Sequence, residues 1–239
     1  MISFIVPAHN EEQLLGQTLD ALQAAARETG TPYEIIVVDD ASTDRTAAIA
    51  ASLGARVVHV QHRQIARARN AGATAAIGDV FVFVDADTRV EAATVVATIA
   101  AVGRGCVGGG ALLRFDAPLP ISVWIIGVCL RLTMRLSRLA GGAYVFATRD
   151  AFAAVGGFDE TLFATEELTL SRALQRVGPF VILSESVVTS ARKARTHTTR
   201  ELLAPLGLLF RRGPGARRQR ADLDLWYGPR RSDPGDLKR

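Results

Sequence analysis

The chain has few cysteines, with only Cys106 and Cys129 among its 239 residues. Two cysteines exclude a disulfide-stapled scaffold and are typical of a protein in a reducing compartment. The first residues lack both the positively charged segment and the cleavage site of a signal peptide, and they have the pattern of a strand instead. From these absences we expect a cytoplasmic protein.

Long apolar runs are also missing, and this argues against a membrane-spanning protein. The most hydrophobic segment, residues 119–130, is too short to cross a bilayer and is followed closely by Arg131 and Arg135. Such a segment forms either a helix packed within the protein or a dimer, or a helix in a membrane interface with Trp124 at the headgroup level. Both interpretations stay open here, with residues 119–138 as the segment concerned.

Hydrophobic residues make up 49% of the chain and charged residues 22%, so a core can form. The formal net charge is +4, and arginines are concentrated beyond Arg192. A basic tail over residues 212–239 is either a solvated extension or a contact for an anionic substrate or an anionic membrane surface. A membrane contact would place the protein peripherally at the inner membrane face. Nucleic acid is not expected as a partner, because the tail lacks a regular basic helix and interleaved aromatics.

Apolar runs alternate with segments of helical spacing over the first ninety residues. The predicted strands are residues 2–6, 34–38, 56–60 and 80–84, and the predicted helices are residues 11–27, with Asn10 as N-cap, 44–53 and 65–77. This alternation predicts βαβ units and a mostly parallel sheet, that is, an α/β fold. A dinucleotide site is not expected, because no Gly-x-Gly follows the first strand.

The pattern is looser in the second half. There the predicted helices are residues 91–102, 150–155, 166–177 and 200–211, and the predicted strands are residues 106–115, 143–148, 180–183 and 187–189. The four histidines have no spacing typical of a metal site, so any metal must be held by other residue types.

Carboxylates follow two of the predicted strands. Asp39 and Asp40 end the second strand, and Asp85 and Asp87 end the fourth. The carboxyl ends of parallel strands meet at one edge of a sheet, where α/β proteins bind their ligands. Asp85 and Asp87 form a clamp for a hard divalent cation, which usually takes its other ligands from water and substrate phosphates. We therefore predict a metal-dependent site, although Asp39 or Asp40 alone could be a turn residue.

Four motifs together resemble the family 2 glycosyltransferases of the GT-A fold. They are VPAHNEE at residues 6–12, VVDDASTD at 37–44, RARNAG at 67–72 and GDVFVFVDADT at 78–88. Their order and spacing match the family, and the resemblance covers residues 1 to about 190. It implies a single GT-A domain over residues 1–211, with a nucleotide-binding half (1–103) and a smaller acceptor half (104–211).

The resemblance implies an inverting transfer of a sugar from a nucleotide-sugar donor, with Mg²⁺ or Mn²⁺ as cofactor. Asp87 would ligate the metal, Asp85 would lie against ribose and metal, and Asp39 would accept from the ring N–H of the base, expected to be uracil. The residues implied on the donor side are Pro7, Ala8, Glu11, Asp39, Arg67, Asp85, Ala86 and Arg192. For Arg69 we expect instead a solvated helix face.

On the acceptor side, Glu166 and Glu167 stand where the family usually has Glu-Asp at a helix start. The second acid is the family's usual base, so the resemblance assigns that role to Glu167. The alternative is that both glutamates only complement the helix N-terminus. The acceptor remains open among a lipid phosphate, a glycan and a small metabolite.

Two other functions remain open at this point. A nucleotidyltransferase also uses a parallel sheet and acidic metal ligands, but it would carry a glycine-rich basic loop after the first strand, which this chain lacks. A degenerate, non-catalytic transferase domain that docks on a membrane or a partner is the second, since glutamate replaces aspartate at position 167.

Overall fold

The computed structural model describes residues 1–117, 121–198 and 201. The basic tail and nearly all of the helix predicted over residues 200–211 lie outside the described residues.

Helices and strands alternate along most of the described chain. The strands are β1 (Ile2–Ala8), β2 (Tyr33–Asp40), β3 (Arg56–Val60), β4 (Val80–Val84), β5 (Thr88–Arg89), β6 (Gly108–Phe115), β7 (Tyr144–Thr148) and β8 (Phe180–Thr189). The helices are α1 (Leu15–Thr29), α2 (Thr46–Ser52), α3 (Ile65–Ala75), α4 (Ala92–Gly103), α5 (Ile121–Ser137), α6 (Arg149–Ala154), α7 (Glu166–Val177) and α8 (Arg192–Thr196).

The described strands form one sheet in the order β3-β2-β1-β4-β7-β6-β8-β5. Strands β1 to β4 run parallel to one another. Strand β7 is antiparallel to both of its neighbours, β6 and β8 are parallel, and β5 is antiparallel at the edge. The sheet is therefore mixed but mostly parallel, as predicted from the alternation of strands and helices.

The central strands are buried on both faces because helices cover both sides of the sheet. Along β1, Phe4 and Val6 belong to one apolar cluster, with Leu19 of α1. Ile5 points to the opposite cluster, with Phe83 of β4. This alternation follows from the two-residue period of a strand, and it explains why both strands are nearly continuous apolar runs.

The first helix begins later than predicted. It starts at Leu15, with Leu14 as its N-cap residue, so the prediction of Asn10 as N-cap is wrong. Asn10 instead adopts a positive φ of 52°, and its side-chain oxygen accepts from the Thr43 amide at 2.8 Å. The Glu11 amide likewise donates to the Thr46 hydroxyl at 2.8 Å. Residues 9–12 are thus tied to the loop after β2 and are not free to continue the helix.

The two strands predicted over residues 180–183 and 187–189 are one strand, β8. It continues because it pairs with β6 along its length, through a register shift between Gly110 and Leu112. The two-residue strand β5 was not predicted, since Thr88 and Arg89 form no apolar pattern and are held only by pairing with β8.

Residues 121–130 of the most hydrophobic segment are helical, as both interpretations of it required, and they form the first part of α5. Among the described helices, none combines the length and apolar character needed to cross a membrane.

Candidate active site

The strand ends carrying the predicted carboxylates meet at one edge of the sheet. Ala8 at the end of β1 pairs in register with Asp39 of β2, and Asp39 pairs with His59 of β3. Strand β4, which ends just before Asp85, lies on the other side of β1. Pro7 and Ala8 are therefore placed between the two acidic clusters, with Ala8 fully buried.

The neighbouring carboxylates Asp39 and Asp40 have different hydrogen-bond partners. Asp40 is buried and accepts from the backbone amides of three consecutive residues, 62 to 64, at 2.7, 2.7 and 2.9 Å. This fixes the loop between β3 and α3, so Asp40 is the turn residue that the sequence left open. Asp39 is held more lightly, by the Ser42 amide at 3.3 Å and the His59 ring at 3.1 Å. Its carboxylate keeps capacity for another donor.

The Asp85-Ala86-Asp87 turn is anchored from two sides. The Ala86 carbonyl accepts from the Thr18 hydroxyl of α1 at 2.9 Å, and the Asp87 carbonyl accepts from the Ser190 amide at 3.1 Å. The Asp87 carboxylate lies 3.5 Å from the Thr189 hydroxyl. Within residues 1–117, 121–198 and 201, no three His, Cys, Asp or Glu side chains gather into a complete metal site. Two carboxylates on one turn nevertheless fit Mg²⁺ or Mn²⁺, which take further ligands from substrate phosphates and water.

Glu11 and Arg192 form a buried ion pair beside this turn. Both Glu11 oxygens accept from one Arg192 nitrogen, at 2.8 and 2.9 Å, and both side chains are less than a tenth exposed. Arg192 begins α8, two residues after Ser190, whose amide contacts Asp87. The pair therefore joins the end of β1 to the chain that follows β8, although the two residues lie far apart in the sequence.

Arg69 is the residue that sequence reasoning placed wrongly. Its side chain is 3% exposed, so it does not lie on a solvated helix face. One guanidinium nitrogen donates to Asp85 at 3.0 Å and to the Gly142 carbonyl at 2.9 Å. The other donates to Glu166 at 3.1 Å, and the guanidinium lies over the Phe158 ring.

The charge of Arg69 is maintained by these contacts. Burial disfavours the charged guanidinium, yet the carboxylates of Asp85 and Glu166 outweigh burial and raise the pKa of Arg69 above its ordinary value. Arg67, two residues earlier, is about half exposed and pairs with Glu160 at 3.4 Å. Arg67 thus lies on the solvated face that was expected for Arg69.

Glu166 and Glu167 form the first turn of α7. Glu166 is buried against Arg69, whereas Glu167 is partly buried. Burial, and after it the negative charge of Glu166, raise the pKa of Glu167 to about 7. Glu167 also lies close to the glycine-rich turn before β7, because a Cβ at Gly142 would come within 3.1 Å of its carboxylate. Gly142 was not predicted as a site residue, but it is the point where the backbone approaches this acid.

The residue before these acids is strained. Thr165 has a φ of 62°, which a β-branched side chain rarely adopts. Its hydroxyl is one of three buried side-chain polar atoms without a hydrogen-bond partner among the described residues, and Arg69 Nε is another. Strain of this kind is concentrated at functional sites. Nothing in the local sequence signals a positive φ at a threonine.

Known proteins resemble this chain in sequence and in fold. Residues 3–120 match the family model described as Glycosyl transferase family 2. An undecaprenyl-phosphate 4-deoxy-4-formamido-L-arabinose transferase from Pectobacterium carotovorum is 35% identical over 97 residues, which cover 36% of this chain and 28% of that protein. A 4,4'-diaponeurosporenoate glycosyltransferase from Staphylococcus haemolyticus is 36% identical over 97 residues, which cover 38% and 25% of the two chains. The matched part spans only about a quarter of the length of these relatives.

Solved structures share the fold over most of the chain. S. aureus TarS 1-349 in complex with UDP-GlcNAc has a TM-score of 0.63 at 18% identity, covering 87% of this chain and 66% of that chain. The mannosyltransferase PcManGT from Pyrobaculum calidifontis, in complex with GDP-Man and Mn²⁺, has a TM-score of 0.66 at 20% identity, covering 85% and 59%. Glucosyl-3-phosphoglycerate synthase from Mycobacterium tuberculosis, in complex with Mn²⁺, UDP and glucosyl-3-phosphoglycerate, has a TM-score of 0.60 at 21% identity, covering 97% and 81%. These likenesses confirm the predicted GT-A fold.

Proposed function

The chain carries a family 2 glycosyltransferase domain of the GT-A fold, and from this premise we propose that it transfers a sugar, with inversion, from a nucleotide-sugar donor to an acceptor hydroxyl or phosphate. The observation that supports this most is the contact of one buried side chain, Arg69, with both Asp85 and Glu166. Arg69 ties the acidic turn at the donor edge of the sheet to the acidic start of α7.

The donor would lie along the carboxyl edge of β1, β2 and β4. Asp39 has acceptor capacity for the ring N–H of a uracil, and two of the structural neighbours are complexes with uridine nucleotides. The proposed donor-binding residues are Pro7, Ala8, Glu11, Asp39, Arg67, Asp85, Ala86 and Arg192. Of these, Arg67 contacts Glu160, and Arg192 is bound to Glu11.

Asp87 and Asp85 would hold Mg²⁺ or Mn²⁺, the latter being the ion named with two of the structural neighbours. When bound, the ion would supply positive charge to the leaving nucleotide diphosphate. Asp87 is the better placed of the two, because among the described residues its carboxylate is hydrogen-bonded only to the Thr189 hydroxyl, at 3.5 Å, whereas Asp85 already contacts Arg69.

With a hydroxyl acceptor, Glu167 would act as general base. In a single displacement the acceptor oxygen bonds to the anomeric carbon, the bond from that carbon to the diphosphate oxygen breaks, and the acceptor proton passes to Glu167. A carboxylate whose pKa lies near 7 is a stronger base than an ordinary glutamate and is still largely ionised at slightly alkaline pH. Gly142 leaves space beside Glu167 because it has no side chain there.

The acceptor is proposed at the level of class. The Pectobacterium relative is by its name an undecaprenyl-phosphate transferase, which favours a lipid phosphate over a glycan or a small metabolite. An acceptor phosphate would need no base, so dependence on Glu167 separates a hydroxyl acceptor from a phosphate acceptor.

Slow hydrolysis of UDP-, GDP- and dTDP-sugars by the purified protein tests the proposal. We expect one nucleotide to be released in the presence of Mn²⁺ and not in the presence of a chelator. Asp87→Ala should lower the rate about a hundredfold or more while leaving the unfolding midpoint nearly unchanged. Pyrophosphate release from a nucleoside triphosphate, or donor binding without turnover even when lipid phosphates, glycans and small acceptors are supplied, would contradict the proposal.

A further inference from the structure

Helix α5 presents large apolar side chains to solvent. Trp124, Leu132 and Leu136 are 59%, 57% and 84% exposed. Tryptophan and leucine are among the residues with most to gain from burial, and three on one helix form a patch that calls for a partner.

The patch occupies the side of α5 that faces away from the protein. Leu132 and Leu136 are one helical turn apart and share a face. Met134, which is offset by more than half a turn from Leu136, is the residue that packs toward Gly141. Arg131 and Arg135, also one turn apart and both exposed, lie beside the two leucines.

The helix is basic without any acidic counterpart. Residues 121–137 contain no Asp or Glu, and Arg138 directly after the helix is exposed as well. Apolar side chains flanked by arginines, with a tryptophan at one end, are typical of a helix that lies in the plane of an anionic membrane surface. Arginine side chains can extend their apolar stems along such a surface and keep their charge among the headgroups.

The end of α5 is firmly attached to the rest of the protein. The Arg138 carbonyl accepts from the Gln175 side chain at 2.7 Å, and the Ala140 amide donates to the Ser171 hydroxyl at 3.1 Å. Gln175 and Ser171 belong to α7, the helix that begins with Glu166. The C-terminal end of α5, which carries part of the exposed patch, is thus hydrogen-bonded to the helix that begins with Glu166 and Glu167.

We propose that α5 is a docking surface for an anionic lipid membrane, with Leu132 and Leu136 inserted and Arg131 and Arg135 at the headgroups. The charge of the helix selects this occupant, because a row of arginines without acidic residues matches anionic lipid and repels a second copy of itself. The surface does not depend on sugar transfer. If the chain has the proposed function, the hydrogen bonds between the end of α5 and α7 further favour an acceptor that is carried on a lipid.

Vesicle binding by the full chain tests this proposal. We expect co-sedimentation with vesicles containing phosphatidylglycerol and little with pure phosphatidylcholine. Leu132→Ser/Leu136→Ser and Arg131→Gln/Arg135→Gln should each weaken binding about tenfold or more. Ile77→Ser removes an apolar side chain that is 66% exposed elsewhere, and it should bind like the parent. The basic tail is intact in every variant, so unchanged binding by the α5 variants would assign binding to the tail and overturn the proposal.

Fluorescence of Trp124 gives a second, direct measurement. The chain has two tryptophans, so Trp226→Phe leaves Trp124 as the only one. Its emission should shift to the blue on anionic vesicles and be quenched by brominated lipids. Unchanged Trp124 emission on vesicles that co-sediment with the protein would refute the docking surface. A blue shift that follows protein concentration without lipid would show that a second copy covers α5, and would refute it too.

Discussion

Replacing Arg69 by leucine tests the most connected residue of the site. Leucine is apolar and smaller, so it can be buried on α3, but it removes every charged contact of the guanidinium. Glu166, which is 5% exposed on its side chain, loses its cation. The Gly142 carbonyl loses its donor, and Asp85, which is 38% exposed, exchanges its contact with Arg69 for water.

The cost is dominated by Glu166, because a buried charge left without its partner destabilises a protein by about 3–5 kcal/mol. Asp85 adds little, since water can replace its contact. Arg67→Leu is the matched control on the same helix: its ion pair with Glu160 is exposed on both sides and should contribute less than about 1 kcal/mol. Arg69→Leu/Glu166→Leu removes both charges, and it should recover about 2 kcal/mol relative to the sum of the single changes.

Urea unfolding of the parent, the three single variants and the double variant, followed by circular dichroism at slightly alkaline pH, measures these differences. An Arg69→Leu cost as small as that of Arg67→Leu would show that the guanidinium is not held in the buried network. Additive costs of Arg69→Leu and Glu166→Leu would show that the two side chains do not interact. Either result would refute the geometry on which the donor and acceptor halves are joined.

Three further predictions follow from the same geometry. Because the pKa of Glu167 is raised from 4.5 to about 7, the folded protein keeps a proton that the unfolded chain loses. Stability should therefore fall as pH rises between these values, by about 1–3 kcal/mol, and Glu167→Gln should abolish that fall in urea unfolding at pH 5 and pH 8. Asp40→Asn should cost about 2–3 kcal/mol, since three backbone amides lose a charged, buried acceptor; Asp39→Asn should leave stability within about 1 kcal/mol and weaken donor binding by calorimetry, and the reverse order would contradict the assignment. Gly142→Ala should lower kcat and change the unfolding midpoint little, because the added methyl would press on Glu167. An unchanged kcat would show that Glu167 takes no part in the reaction.

Much of the fold could be predicted because the central strands are buried on both faces. Their apolar runs leave little ambiguity, and β3, β4 and α7 have the predicted bounds. The start of α1 could not be predicted, because it depends on contacts between residues 10–12 and the loop after β2. Those contacts join segments more than thirty residues apart, so they cannot be predicted from local helix propensity.

The site could be predicted where it depends on strand ends and failed where it depends on a helix face. Asp39 and Asp85 follow apolar strands, so their position at the sheet edge comes from topology alone. Arg67 and Arg69 lie on one helix, two residues apart, and therefore face different sides. The signal that separates them was present in the sequence: Ala66, Gly72 and Ala73 share the face of Arg69, and all three are buried. A stripe of small residues around an arginine indicates that its helix face lies against the protein.

The contacts of Arg69 cross the end of the region that matches the family model. The family model ends at residue 120, whereas Glu166 and Gly142, two of the hydrogen-bond partners of Arg69, lie beyond it. A buried side chain inside the matched region thus relies on groups outside it for part of its hydrogen bonding, and burial makes those contacts costly to lose. Because removing either side leaves a charge or a donor buried without its partner, the two halves should unfold as one unit. Separate unfolding transitions of residues 1–103 and the remainder, seen by two probes, would contradict this coupling.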